Sequence, residues 1–320
     1  MAVKKQVVTK RYALYNGDCC KVVKSIPDNS IDFSIFSPPF CNLYSYSDNE
    51  ADMGNSKSYK EFFEHFRFLI KELYRIITPG RIVAVHCMEI PIFKGNAGFI
   101  GLQDFPGDLI KVFRREGFIF HSRHCIWKDP LLDAVRTKAI GLAHKQIIKD
   151  SSICRTGIPD YIIAFRKRGE NLKPIENKDG LTTYHGLRNI PKSLERFIGH
   201  KEQKSNKRSH WIWQQYASPV WFDIRQTKVL GCYRKGREAD DEKHICPLQL
   251  DTIERCMALW TKKDDKVFTP FMGIGSEIFV AIKNNRRGIG IELKESYYRQ
   301  AIKVISSLKE QKKLLQNEDN

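Results

Sequence analysis

Apolar runs alternate with amphipathic segments in two parts of this sequence, and this alternation limits the possible fold more than any other feature. The apolar runs are short enough for strands, and the amphipathic segments repeat apolar side chains at helical spacing. Strands are predicted at 12–16, 31–37, 81–87, 118–121, 161–165, 266–269 and 287–291, and helices at 61–77, 109–115, 248–260, 277–284 and 296–308. Such alternation is typical of a mostly parallel sheet with helices on both faces, so the predicted fold class is α/β.

Composition and charge narrow the class of protein. The chain has 320 residues and a net charge of +17, an excess of positive charge that favours a polyanionic partner such as nucleic acid. A protein that is merely basic stays an open alternative on charge alone. Apolar runs long enough to span a membrane are missing, as is an apolar leader segment, so we expect a cytoplasmic protein.

Cysteine usage argues against a disulfide framework and against a structural metal. The nine cysteines are odd in number and form no Cys-x-x-Cys pair. His121 and His124 lie beside Cys125, but a zinc site would need a further pair of ligands. No metal is therefore predicted.

The stretch Ile31–Phe40, IDFSIFSPPF, ends a strand in an unusual way. Pro38 and Pro39 lack the backbone N–H that a sheet requires, so they lie at or beyond the last hydrogen bond of the strand. Ser37 and Phe40 flank these prolines. The sequence thus predicts a stiff backbone at the rim of the sheet, with a hydroxyl and an aromatic ring held beside it.

A glycine-rich turn joins a strand to a helix near the end of the chain. Gly273 and Gly275 follow the strand at 266–269, and Glu292 follows the next strand. Such a turn lets backbone approach a ligand closely at a helix N-terminus, and the acidic side chain can accept ribose hydroxyls. A third glycine, usual in dinucleotide sites, is absent, which favours a smaller nucleoside ligand over NAD. A tight packing turn would explain the two glycines equally well.

Together, Ser37-Pro38-Pro39-Phe40 and the turn Thr269-Pro-Phe-Met-Gly-Ile-Gly275 resemble the S-adenosylmethionine-dependent DNA methyltransferases that modify the exocyclic amine of cytosine (N4) or adenine (N6). The order, with the catalytic motif first, resembles their permuted β class. Gly17-Asp18 and the segment from His244 through Pro247 to Leu250 fit the same subgroup, and Ile126–Arg168 resembles the recognition region of phage-type members. Two departures are Thr269, where the family usually has an acidic residue, and the missing Thr-Gln-Lys-Pro after His244.

The resemblance implies a Rossmann-like, mostly parallel twisted sheet with an inserted target-recognition region. It divides the chain into a catalytic half (1–121), the recognition insertion (122–220) and a cofactor-binding half (221–320). It also implies S-adenosylmethionine as cofactor and double-stranded DNA as substrate. The cofactor residues it implies are Asp18, Phe271, Gly273, Gly275, Ser276, Glu292, His244 and Pro247. The candidate DNA contacts are Lys128, Arg136, Lys138, Lys145, Arg166 and Lys167.

The chemistry of this family explains the motif at Ser37. A base inside a duplex is out of reach, so it must be flipped into a pocket. The Ser37 hydroxyl and the Pro38 carbonyl can each accept an N–H of the exocyclic amine, and the Phe40 ring can stack on the flipped base. Cys41 follows phenylalanine rather than proline, so it is not predicted to act as a nucleophile.

Several alternatives stay open at this stage. Serine at the first motif position favours N4 of cytosine, and N6 of adenine is the alternative. Thr269 keeps open a DNA-binding protein with an inactive methyltransferase core, and RNA is a third substrate to consider. Both a cognate restriction endonuclease and an orphan enzyme without one are compatible with the resemblance.

Overall fold

The computed structural model describes residues 2–39, 53–56, 58–92, 94–132, 148–153, 157–176, 190–199, 201–202, 204–231 and 247–318. Six residues singled out in the sequence lie outside these ranges: Phe40, Cys41, Arg136, Lys138, Lys145 and His244. Within the described part of the chain, no helix is long and apolar enough to cross a membrane.

A nine-stranded sheet, ordered β1-β2-β11-β10-β3-β4-β8-β7-β9, forms the centre of the fold. A separate hairpin pairs β5 with β6. The strands are β1 (Val3–Val8), β2 (Tyr12–Gly17), β3 (Ile31–Phe36), β4 (Ile77–Cys87), β5 (Ile90–Ile92), β6 (Gly101–Gln103), β7 (Ile119–Ile126), β8 (Asp160–Arg166), β9 (Val220–Trp221), β10 (Lys266–Thr269) and β11 (Arg287–Glu292). The helices are α1 (Cys19–Val22), α2 (Tyr59–Ile76), α3 (Lys94–Ala97), α4 (Phe105–Arg115), α5 (Lys207–Ala217), α6 (Leu250–Trp260), α7 (Ser276–Lys283) and α8 (Glu295–Glu318).

The middle of the sheet is parallel, as the alternation predicted. β2, β11, β10, β3 and β4 pair in parallel, whereas β1, β8 and β7 add antiparallel pairs at the two sides. Helices cover both faces: along β10, Phe268 packs towards α2 and α4, and its neighbour Val267 packs towards α6 and α7. This follows from the two-residue period of a strand. The predicted fold class is therefore confirmed.

The predicted boundary of the recognition insertion, residue 122, falls within β7 of the main sheet. β7 extends to Ile126, and β8 (Asp160–Arg166) pairs with both β7 and β4. These strands belong to the main sheet because their backbone groups complete its hydrogen bonding on the β4 side. The division of the chain into two halves and a recognition insertion stays a prediction.

Candidate active site

The two sequence motifs meet at one edge of the sheet. β3 and β10 are neighbouring parallel strands, with Ser34 opposite Phe268. Their carboxyl ends point the same way, so Ser37 and the glycine-rich turn leave the sheet at the same edge. The Phe271 ring packs edge-on against Phe36, with ring centroids 5.7 Å apart. The predicted catalytic strand and the predicted cofactor turn therefore share a packed aromatic contact.

The glycine-rich turn is held in place by Glu292. One carboxylate oxygen accepts a hydrogen bond from the Gly273 N–H at 2.8 Å, and the other accepts one from the Lys294 N–H at 2.8 Å. Gly273 and Gly275 both have positive φ, at 53° and 93°. The turn ends where α7 begins at Ser276. Glu292 therefore holds the turn in place, a role that the sequence did not indicate. Because a carboxylate oxygen can accept more than one hydrogen bond, these two bonds leave Glu292 able to accept others.

The two glycines have different surroundings. A Cβ on Gly275 would lie 3.2 Å from Ala301 and from Ile305 of α8, so this glycine allows close helix packing. A Cβ on Gly273 would meet no described atom within 4 Å. Space beside Gly273, the start of α7 and the Glu292 carboxylate together fit a nucleoside cofactor that lies against the turn.

Asp18 reaches the same edge because β2 pairs with β11. Asn16 of β2 lies opposite Glu292 and donates hydrogen bonds to the carbonyls of Glu292 (2.9 Å) and Leu293 (3.1 Å). Asp18 follows directly, and its carboxylate accepts a hydrogen bond from the Cys20 N–H at 2.9 Å, which caps α1. The buried Oδ1 of Asn16 has no hydrogen-bond partner among the described residues. Asn16 is a further polar residue of this edge that the motifs did not indicate.

Pro247 precedes α6, whose first residue packs beside the cofactor turn. Leu250 contacts a small apolar cluster formed by Ile274 of the turn, Leu230 and Val304. The Leu250 N–H also donates a hydrogen bond to the carbonyl of Lys228 at 2.9 Å. The structure thus brings the start of α6 to the turn.

Asp18, Cys19 and Cys20 are the described residues with the closest grouping of metal-ligating atoms, within 4.8 Å of one another. The neighbouring Cys20 and burial raise the pKa of the Cys19 thiol well above its ordinary value. A metal needs the thiolate, so this grouping is a poor metal site.

Glu277 brings an unexpected carboxyl group to the start of α7. Its side chain is buried, and burial, followed by the nearby Glu292 carboxylate, raises the pKa of Glu277 to about 8. At neutral pH Glu277 is therefore mainly protonated. Glu277 therefore adds little negative charge to the cofactor edge.

Thr269 is fully buried at the end of β10, and its hydroxyl has no hydrogen-bond partner in the described part of the chain. We expect Thr269→Val to leave the free energy of unfolding within about 1 kcal/mol of the original, because no hydrogen bond is lost. Thr261→Val is the contrast: the Thr261 hydroxyl bonds the Met257 carbonyl and the Arg286 guanidinium, so its loss should cost about 1–3 kcal/mol. Urea unfolding measures the free energy of unfolding of both variants. Equal losses would contradict the difference in hydrogen bonding between the Thr269 and Thr261 hydroxyls.

A row of polar side chains that no motif indicated begins at Ser37. The Ser37 Oγ lies 2.8 Å from Nδ1 of His86, in β4. His86 Nε2 lies 3.3 Å from Oδ2 of Asp160, in β8, and Asp160 Oδ1 pairs with the Lys128 ammonium at 2.5 Å. Burial alone would raise the pKa of Asp160, but Lys128 and His86 lower it to about 2. The carboxylate therefore stays ionised.

Three of the predicted DNA contacts are described, and each has a partner within the protein. Lys128 is paired with Asp160 near Ser37. Lys167 is buried and donates hydrogen bonds to Asn29 Oδ1 and to the carbonyls of Arg75 and Ile77. The Lys167 ammonium stabilises the C-terminal end of α2, a position that does not favour a contact with DNA.

Arg166 lies at the opposite edge of the sheet from Ser37. It stands opposite Ile82, near the start of β4, and β4 runs on to Cys87 at the site. The stretch of β4 from Ile82 to Cys87 spans about 17 Å, so Arg166 and Ser37 are separated by about that distance. Arg166 also donates a hydrogen bond to the Gly169 carbonyl at 3.2 Å. Its position does not support a contact with a base bound at Ser37.

Comparison with known proteins agrees with this geometry. Residues 31–303 match the N6_N4_Mtase family, DNA methylase. The type II methyltransferase M.BglII of Bacillus subtilis is 23% identical over 298 residues, which cover 92% of this chain and 68% of that protein. The type II methyltransferase M.BamHI of Bacillus amyloliquefaciens is 30% identical over 284 residues, covering 88% of this chain and 54% of that protein.

Solved structures show the same fold. The PvuII DNA methyltransferase (cytosine-N4-specific) superposes with a TM-score of 0.61 at 16% identity, covering 94% of this chain and 89% of that one. A Thermus thermophilus protein assigned as a DNA modification methylase, complexed with S-adenosyl-L-methionine, gives 0.60 at 18% identity, covering 93% and 95%.

The match over most of its length places this chain in the N6/N4 DNA methylase family. It is a site-specific DNA methyltransferase that uses S-adenosylmethionine and modifies an exocyclic amine of a base.

Proposed function

We propose that this enzyme methylates N4 of cytosine, with Ser37, Pro38, Pro39 and Phe40 as its catalytic motif. The observation that carries the proposal is the Ser37 hydroxyl, which lies at the edge of the sheet where the glycine-rich turn also emerges. Serine at this position is more usual among N4-cytosine enzymes than among N6-adenine enzymes. The PvuII enzyme, whose name specifies cytosine N4, shares the fold and supports this choice.

The protein groups in this proposal act mainly by positioning. When bound, S-adenosylmethionine supplies the methyl group on its sulfonium. The Ser37 hydroxyl and the Pro38 carbonyl each accept a hydrogen bond from one N–H of the amine. These two bonds turn the lone pair of the nitrogen towards the sulfonium methyl group. The two prolines keep these acceptors fixed. A fixed geometry lowers the entropy cost of bringing the reactants together. Phe40 provides the stacking surface for the flipped base.

The proposed cofactor residues are Asp18, Phe271, Gly273, Gly275, Ser276, Glu292, His244 and Pro247. Glu292 supports the assignment because its carboxylate orders the turn, and an ionised carboxylate can accept ribose hydroxyls in addition to backbone N–H groups. Gly273 supports the assignment because no described atom lies within 4 Å of the position that a Cβ on this residue would take. The inactive-core alternative rests on Thr269, whose buried hydroxyl replaces the usual carboxylate.

Nucleoside analysis tests the proposed base. DNA from cells that express the enzyme is digested and its nucleosides are separated by mass, and N4-methylcytosine is the expected product. N6-methyladenine would replace the proposal with the adenine alternative. Neither product, together with no heat of S-adenosylmethionine binding in calorimetry, would indicate an inactive core.

Gly273→Ala is expected to weaken S-adenosylmethionine binding at least about tenfold, because the new Cβ enters the space where the cofactor approaches the turn. Gly98→Ala is the matched control: Gly98 also has positive φ, 79°, and open space around it, but it lies at the end of α3. Both substitutions should cost about 1–2 kcal/mol of stability for left-handed backbone. Calorimetry of both variants separates the two effects, and equal cofactor affinity in both would reject the assigned turn.

DNA contacts are proposed for Arg136, Lys138 and Lys145, which lie between β7 and β8. Lys128 belongs to the site through Asp160. The net charge of +17 supports duplex DNA as the substrate.

The named relatives are type II methyltransferases, which supports a restriction-modification role, with or without a cognate endonuclease, in the cytoplasm.

A further inference from the structure

Three neighbouring strands place polar side chains in a row at the edge where the site lies. Phe36 of β3 is opposite Val85 of β4, so the next residues, Ser37 and His86, are neighbours. His86 is opposite Ile162 of β8, and Asp160 is two residues from Ile162 on the same face. Ser37, His86 and Asp160 form what we call the polar row.

Asp160 is buried and ionised, so it can only accept hydrogen bonds. The Lys128 ammonium holds one of its oxygens, and the other faces His86 Nε2 at 3.3 Å. Nε2 is buried, and no hydrogen-bond partner other than this carboxylate oxygen lies near it among the described residues. A proton on Nε2 satisfies both groups. Nδ1 is then left without a proton and can accept the Ser37 hydroxyl.

We propose that His86 is the positioning residue and proton acceptor for Ser37, with Asp160 and Lys128 holding its tautomer. The inference rests on the proposed role of Ser37, and it holds for a cytosine or an adenine amine. The Ser37 O–H points to His86, so an oxygen lone pair is free to accept the amine N–H.

The proposed role also accounts for the proton that the reaction releases. The amine nitrogen gains a bond to the methyl carbon, the sulfur–carbon bond breaks, and sulfur keeps that electron pair. The nitrogen must then lose one proton. Ser37 Oγ takes it and passes its own proton to Nδ1 of His86, and the resulting imidazolium faces the Asp160 carboxylate. Ser37 ends neutral, and the positive charge is on His86.

The charged groups near the row favour this direction of transfer. Asp160 is the carboxylate that faces His86, and Lys128 faces Asp160. On β7, burial lowers the pKa of His124, so this residue stays neutral at neutral pH. On α6, Arg255 is directed to Asp223. A proton on His86 is therefore stabilised by the Asp160 carboxylate at the far side of its ring.

Substitutions at His86 test the proposal in single-turnover assays that count methyl groups transferred to DNA. We expect His86→Ala to lower the rate about 100-fold or more, with the S-adenosylmethionine Kd and the KM for DNA changed less than about threefold. His86→Asn keeps an acceptor near Nδ1 but cannot take a proton, so it should also be slow. His65→Asn, on the exposed face of α2, is the matched control and should match the original enzyme.

A double-variant cycle separates action through Ser37 from general structural damage. If His86 acts through Ser37, His86→Ala should have little further effect in a Ser37→Ala background. Multiplied losses in the double variant would overturn the proposal, as would a rate close to that of the original enzyme for His86→Ala. The assay counts methyl groups on any base, so a finding of N6-methyladenine would reject the cytosine assignment and leave this inference standing.

A tautomer measurement tests the same proposal without cofactor or turnover. In 15N NMR of the folded, cofactor-free protein, His86 should show a protonated Nε2 and an unprotonated Nδ1 that accepts a hydrogen bond. Ser37→Ala should shift the Nδ1 resonance, and Asp160→Asn should change the tautomer. A protonated Nδ1 in the original protein, or no response to either substitution, would overturn the assignment.

Discussion

Ser37→Ala is expected to abolish most methyl transfer while cofactor binding survives. The lost hydroxyl is the proposed acceptor for the amine N–H and the partner of His86 Nδ1 at 2.8 Å. Loss of one preorganised hydrogen-bonding group at a reacting centre typically lowers kcat by about 10²–10³-fold. Single-turnover transfer measures the rate, and calorimetry with S-adenosylmethionine should give a Kd close to that of the original enzyme.

Ser34→Ala is the matched control for that experiment. Ser34 lies in β3, the strand that leads to Ser37, is fully buried, and has a hydroxyl without a hydrogen-bond partner among the described residues. It points to the opposite face of the sheet from Ser37, which is an odd number of residues away. The transfer rate of Ser34→Ala should be unchanged. An equal loss in both variants, or lost cofactor binding in Ser37→Ala, would contradict the role given to Ser37.

Asp265→Ala is expected to destabilise the whole protein by about 3–5 kcal/mol. Asp265 forms an ion pair with Arg81, and both side chains are buried, at 6% and 1% exposed. Arg81 also donates a hydrogen bond to the Asp32 carbonyl at 2.8 Å, which ties β4 to β3. Without Asp265, the Arg81 charge would stay buried and lack its ionic partner, and that is the source of the cost.

Urea unfolding of Asp265→Ala measures this loss. Glu295→Gln is the comparison, since Glu295 pairs with Lys5 and Arg299 at the exposed surface, where ion pairs contribute little. Unfolding of Glu295→Gln should resemble that of the original protein. If both variants unfolded alike, the buried pair would be no more important than a surface pair.

The parallel strands of the main sheet and the longer helices beside them could be predicted from the sequence, whereas β1 and the helix α5, Lys207–Ala217, were not predicted. The helix expected at 61–77 is α2, Tyr59–Ile76, and its start is set by Ser58, whose side chain accepts a hydrogen bond from the Glu61 N–H. Local periodicity and caps carry this information. The strand expected at 118–121 is longer, Ile119–Ile126, because pairing with β8 extends it beyond its apolar residues.

The candidate site was predicted only where residues form a local motif. Ser37 and Gly273 belong to short patterns that identify them directly. His86 and Asp160 are single polar residues near strand ends, and the one available signal was a histidine just before the end of the apolar run 81–87. For Lys167, a positive charge in the sequence does not reveal that the ammonium lies against the carbonyls of Arg75 and Ile77.

By itself the sequence determined the fold class, the family and the two motifs, because these depend on spacing between residues that are near in the chain. Only the tertiary structure decided which side chains meet. The parallel register of β3 and β4 places His86 beside Ser37, and antiparallel pairing of β8 adds Asp160. Register is a property of paired strands, and a shift of one residue would turn each of these side chains to the opposite face.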